Sequence, residues 1–277
     1  MNIIKTIEDI YMRIFKKNNK MGAVLAVVGI LTGLLILFII ASIYNVNIEG
    51  KIADGRPDEA ITVQIVFAML SWLGVSAGAL WVMVLYGFLN NAKWAWFWGT
   101  VAATVQILVG FFPMIPPASI DLPIPTIWVF LIAIGLWFGM LFIGGVDIRI
   151  ITLAFVSGLA YVLTYIDGVG AISRYQTEAK GFINAMYAMS QMVNWWGAIV
   201  WAVFIFSLVK GKAWTLPVGV FAAAMSMFGG YPVGLTDVIA VKGGFSMFLV
   251  APIMSTGLLI YILLPGTKKM ITDWENG

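Results

Sequence analysis

The side chains able to hold a ligand or move a proton are few in this sequence, and they fall into two sets. The first is a pair of carboxylates, Glu59 and Glu178, each followed by an alanine and each placed just ahead of an apolar run. A carboxylate at a helix N-terminus is favoured by the helix dipole at about 0.3–1 kcal/mol, and that structural role suffices to explain both. Brought together at the outer face, the same two groups would form a cation or partner site, or an acid/base pair. The second set lies inside apolar runs: Gln64, Ser71, Gln106, Asn194 and Ser226. Gln106 and Asn194 are the costliest of these to bury unpaired. They are expected to hydrogen-bond between helices, with a quinone carbonyl or a lipid headgroup as the alternative partner.

Much chemistry is excluded outright. The chain has no cysteine and no histidine. That removes thiolate zinc, iron–sulfur and His-ligated haem or copper sites, and every Ser-His-Asp or Cys-His mechanism. No protein-held cofactor is therefore expected, and bound lipid or quinone is the remaining option. Met186, Met189 and Met192 recur every third residue and could present thioethers to copper(I). Without histidine or cysteine support they read better as flexible apolar filler. Asp167 and Asp237 are placed at span boundaries, and no charged residue is expected near the middle of a span. That argues against a proton-coupled carrier, a voltage sensor and an intramembrane acid/base enzyme.

The elements that must position these groups follow from composition. The 277 residues are 61% hydrophobic, 14% aromatic and only 10% charged. Soluble domains carry about 25% charged residues, so this chain cannot cover itself with a water-compatible surface. Eight apolar segments are long enough to cross a bilayer, at 22–44, 62–89, 94–114, 126–146, 148–166, 186–209, 213–233 and 245–264. Each is expected to be helical, because lipid offers backbone groups no other partner. Residues 2–16 carry Ile3, Ile4, Ile7, Ile10 and Ile14 on one face beside Lys5, Arg13 and Lys16, the pattern of a helix lying in the interface. With the N-terminus inside, eleven basic residues fall on the cytoplasmic side and five outside, so both termini are read as cytoplasmic and the membrane as the cell membrane. The net charge of +3 is thus a topology signal and not a nucleic-acid signal.

The chain also resembles itself. At an offset of 119 residues Glu59-Ala60 meets Glu178-Ala179, Ser71 meets Ser190, Gly78-Ala79 meets Gly197-Ala198, Lys93 meets Lys212 and Gly110 meets Gly229. The expected fold is an all-α integral membrane protein of eight transmembrane helices. They form two tandem parallel four-helix repeats, preceded by an amphipathic interfacial N-terminal helix. Residues 1–20 are the interfacial helix, 21–146 and 147–266 the two membrane units, and 267–277 a cytoplasmic tail. Small residues at four-residue spacing (Gly29 and Gly33, Gly74 and Gly78, Gly135 and Gly139) should let helices approach closely. Pro217 and Pro252 should kink the seventh and eighth helices.

Three functions fit these features. The first is a non-catalytic membrane subunit, a scaffold or anchor in a larger assembly, with lipid or quinone as its candidate ligand. Its partners would be membrane lipids and other membrane subunits, or further copies of itself. The second is a channel or carrier for a small neutral or hydrophobic solute. The third is an enzyme working through the outer-face carboxylates.

Overall fold

The computed structural model describes residues 17–177, 180–242 and 244–276. The amphipathic helix expected over residues 2–16 lies outside the described residues, and so does Glu178. All regular structure among the described residues is helical. The chain divides into two compact units, Met1–Asp147 and Ile148–Gly277.

The first unit is built from α1 (Asn19–Ala53), α2 (Pro57–Leu89), α3 (Ala95–Phe111) and α4 (Ile127–Ile143). Asn18 starts α1, its side-chain oxygen accepting from the backbone N–H groups of Lys20 and Met21 at 3.0 and 3.2 Å. Pro57 opens α2, where its missing N–H costs nothing, and Asp58 and Glu59 fill the acidic first turn. The second unit holds α5 (Ile148–Thr177), α6 (Phe182–Val209), α7 (Thr215–Thr236) and α8 (Val250–Leu263), followed by α9 (Pro265–Asn276). Within each unit the first helix packs on the second, the second on the third, the third on the fourth, and the fourth back on the first.

Among the described residues six helices are long and apolar enough to cross a membrane, and seven if the bent pair Met247–Leu263 and Pro265–Asn276 counts as one. The chain is thus a multi-pass membrane protein by length and composition. The expected count of eight is not reached for two physical reasons. Helix α4 has 17 residues, which at 1.5 Å per residue spans about 26 Å of a hydrocarbon core of about 30 Å. Helix α8 has 14 residues. Pro265 forces Leu264 into an extended conformation, and the chain turns by 72° into α9.

Other expectations need correction. The spans expected at 148–166 and 186–209 belong to longer helices; α5 runs to Thr177 and α6 begins at Phe182. The Asn184 amide donates at 2.6 Å to the Tyr175 carbonyl, covering an end that α5 leaves open. Pro217 and Pro252 sit in the first turns of α7 and α8, where a missing N–H breaks no bond. The proline inside a helix is Pro232.

Small residues do set the packing. A Cβ on Gly33 would lie 2.5 Å from the Gly78 Cα, so α1 and α2 touch backbone to backbone. Gly29 makes room for the Trp81 ring and Gly74 for Ile36. Gly135, in contrast, faces open space.

The two units share a register that differs from the expected one. All nine buried residues of α6 lie 120 positions after a buried residue of α2, and all nine of α7 follow buried residues of α3 or its extension by the same 120. Trp81 thus matches Trp201, Gly99 matches Gly219 and Gly110 matches Gly230. At 119 the buried Ser190 would match the half-exposed Ser71 instead. The hairpin turns agree with 120: Asn91 and Gly211 both have φ near 56°, and their N–H groups donate to Phe88 and Leu208 carbonyls, each at 3.1 Å.

Candidate functional site

Gln106 comes from the buried face of α3 and is 1% exposed. Its amide nitrogen donates to the Gly29 carbonyl of α1 at 2.7 Å, and its oxygen accepts from the Trp81 indole of α2 at 2.9 Å. One side chain therefore ties three helices. Its place on the smallest-residue face of α1 explains why a backbone carbonyl is within reach.

At one end of the same unit lies a charged cluster. The Lys51 ammonium, whose side chain is 4% exposed, pairs with Glu59 at 2.6 Å and donates to the Ser119 hydroxyl at 2.8 Å. Arg56 reaches Glu59 at 3.2 Å, pairs with Asp54 and donates to the Ser119 carbonyl at 3.1 Å. Two cations face two anions, and together they pin the turn after α3 to the α1–α2 connection. Glu59 is thus engaged by two cations; its expected companion Glu178 is outside the described residues.

The interior of the second unit is polar along much of its length. Thr164 of α5, Ser226 of α7 and Ser255 of α8 are fully buried, and their hydroxyls meet at 2.8 and 2.9 Å. One turn away, Ser190 of α6 donates to the Gly229 carbonyl at 2.8 Å and accepts from the Asn194 amide at 3.0 Å. Further along, Tyr187 donates to the fully buried Asp237 at 2.8 Å, and Arg174 lies 3.8 Å from the same carboxylate oxygen. Asp167, Asn194 and Asp237 each keep one buried oxygen without a hydrogen-bond partner among the described residues.

The five expected polar positions do not form one line. Gln106 belongs to the first unit, and Asn194 and Ser226 share the interior of the second. Gln64 is exposed on α2, where its backbone carbonyl receives Tyr44, and Ser71 is half-buried. The methionine stripe faces outward: Met189 and Met192 are 67% and 57% exposed. Sequence reasoning missed Lys51, Tyr187 and the burial of Asp167. Of the two aspartates expected at span boundaries, Asp237 directly follows the last residue of α7. Asp167 lies ten residues inside α5, because that helix runs on to Thr177. An apolar groove of about 320 Å³ runs between α5 and α8, lined by Leu153, Val156, Met254, Gly257 and Tyr261 among others.

Comparison with protein-family models, with curated proteins and with solved structures finds no match to this chain. Its function must be read from its own residues.

Proposed function

We propose that this protein is a non-catalytic polytopic membrane subunit, a scaffold or anchor whose outward helix faces meet lipid and other membrane-embedded chains. The observation that carries this reading is the use made of Gln106. This fully buried amide of the first unit is satisfied at both ends by protein, and holds helices instead of presenting a solute site. The outward faces suit the role. Trp72, Trp128 and Trp196 are 60% exposed or more, and such rings supply large contact area to lipid interfaces and to partner helices. The groove between α5 and α8 is lined mostly by apolar side chains, which suits a lipid acyl chain. Glu59, held by Lys51 and Arg56, is poorly suited to acid/base work, which lowers the enzyme reading.

The wider architecture belongs to the same proposal. The chain is read as two copies of one four-helix unit, matched at 120 residues through the second and third helices, with α4 and α8 completing eight membrane helices. The excess of basic residues places both termini in the cytoplasm and the chain in the cell membrane. Supporting contacts recur between units: a Cβ on Gly110 would strike Phe130 at 2.6 Å, and one on Gly230 would strike Pro252 at 2.7 Å.

A carrier or channel for a small solute is the second reading. The unpartnered oxygens of Asp167, Asn194 and Asp237 favour it. Native mass spectrometry after gentle extraction from the source membrane separates the two. Stoichiometric protein partners support the subunit reading. A chain that emerges alone or only with copies of itself overturns the heteromeric scaffold, and solute flux in liposomes then becomes the deciding assay.

A further inference from the structure

The second unit buries a carboxylate that no cation among the described residues pairs with. Asp167 is 5% exposed and one of its carboxylate oxygens has no partner among the described residues. The cation nearest in sequence on the same face, Arg174, is held against Asp237. An isolated ionised carboxylate in apolar surroundings costs many kcal/mol, so such groups are neutralised or paired.

Around Asp167 lie an unpartnered indole N–H, that of Trp195, and further oxygen, with no ion pair to Asp167 among the described residues. Gly168 lies against the Trp195 ring and the Gln191 carbonyl of α6, and Thr164 lies against Gly197. Those contacts bracket Asp167 at the level of Asn194. Asn194 is fully buried, and its side-chain oxygen, turned toward Gly229, is also unpartnered. Two acceptor oxygens from different helices therefore lie at one level.

The architecture does not demand this polarity. At the matching positions of the first unit, Tyr187, Ser190 and Asn194 are replaced by Phe67, Leu70 and Gly74, all buried. The same helix packing is made there with apolar groups. At these three positions the polarity is a property of the second unit; elsewhere the first unit is polar too, with buried Gln106 at the place of Ser226 and buried Asn47, an uncharged amide, at the place of Asp167.

We infer that the second unit takes up one small monovalent cation, a proton or a sodium ion, at Asp167, with Asn194 supplying a further oxygen at the same level. A proton or a hard cation suits carboxylate and amide oxygens, whereas soft metals do not. The other titratable groups on the helices around it are Arg149, Tyr161, Tyr165, Arg174 and Tyr175 of α5, Tyr187 of α6, Tyr231 and Asp237 at α7 and its end, and Tyr261 of α8. Tyr187 and Arg174 are committed to Asp237, and Tyr231 to Thr256. This inference stands apart from the scaffold reading, which concerns the outward faces.

The test uses the full chain in lipid nanodiscs. Its melting temperature is measured at about pH 6 and about pH 8.5, in sodium chloride and in N-methyl-D-glucamine chloride at equal ionic strength. A folded state that holds an extra proton loses stability as pH rises. If the cation is a proton, the melting temperature falls by roughly 3 °C or more at the higher pH in both salts. If it is sodium, the fall appears only in N-methyl-D-glucamine and sodium restores it. Asp167→Asn removes either dependence, and Asn194→Ala weakens the sodium response while leaving Asp167 in place. Should Asp167→Asn not assemble, the wild type alone still decides. A melting temperature unmoved by pH and by sodium overturns the inference, as does a dependence that Asp167→Asn retains.

Discussion

The Gln106 side chain donates to the Gly29 carbonyl at 2.7 Å, joining α3 to α1 through a backbone group. The bond exists because Gly29 has no side chain to cover its own carbonyl, and because the Trp81 ring fills the space beside it. The same glutamine accepts from Trp81, so its removal strands two buried groups at once.

Gln106→Leu is therefore expected to lower stability by about 1–2 kcal/mol, toward the upper end for an interhelical hydrogen bond in a membrane protein. Thermal unfolding in detergent, followed by near-ultraviolet circular dichroism, reads the change. A melting curve that overlays the wild type would show that the three-helix tie contributes nothing.

The contact between Gly33 and Gly78 makes a sharper comparison. Gly33→Ala puts a Cβ 2.5 Å from the Gly78 backbone, and α1 must move away from α2. A cost of about 1–3 kcal/mol is expected from such overpacking. Gly135→Ala has nothing within 4 Å and should be neutral or slightly stabilising. Equal effects at the two sites would refute the close approach of α1 and α2.

Lys51 and Glu59 form a pair whose side chains are only 4% and 11% exposed. Lys51→Met takes the nearer of its two cations from Glu59 and removes a donor to the Ser119 hydroxyl. Breaking a buried pair from one side typically costs about 3–5 kcal/mol, and the remaining Arg56 should keep the loss near the lower bound. The double variant Lys51→Met/Glu59→Gln should lose less than the two single changes added together. Strict additivity in a double-mutant cycle would mean the pair is not coupled.

The hairpin between α6 and α7 turns on Gly211, at φ 56°. Gly211→Ala should cost about 1–2 kcal/mol for the left-handed backbone. It also brings a Cβ to 3.0 Å from the Trp274 carbonyl. The indole of Trp274 donates to the Leu208 carbonyl at 2.8 Å. The substitution should therefore loosen α9 as well, seen as faster amide exchange over residues 265–276. Asn91→Gly, at the same φ in the other hairpin, should be neutral. Unchanged exchange in α9 together with an unchanged melting temperature would sink this account.

Much of the protein is decided by composition and segment length. A chain 61% hydrophobic and 10% charged must be solvated by lipid, and helical apolar runs follow because each backbone group needs an internal partner. The short connections at Lys93 and Lys212 were legible as well, because the apolar runs on either side leave only a few residues between them. What could not be read was which side of each helix faces inward. These helices are apolar all round, so no polar stripe marks an outer face. A one-residue slip in comparing the two halves turns a helix by about 100°, yet matches residue types almost as well. That is why an offset of 119 looked sound while buried positions follow 120. The lengths of α1 and α5 beyond the apolar core were also hidden, because their final turns carry charges. Tertiary packing alone decided that Lys51 and Asp167 lie inside their helices. Neighbouring helices cover those turns, and only the folded chain can bring Glu59 to the first while leaving the second without a cation.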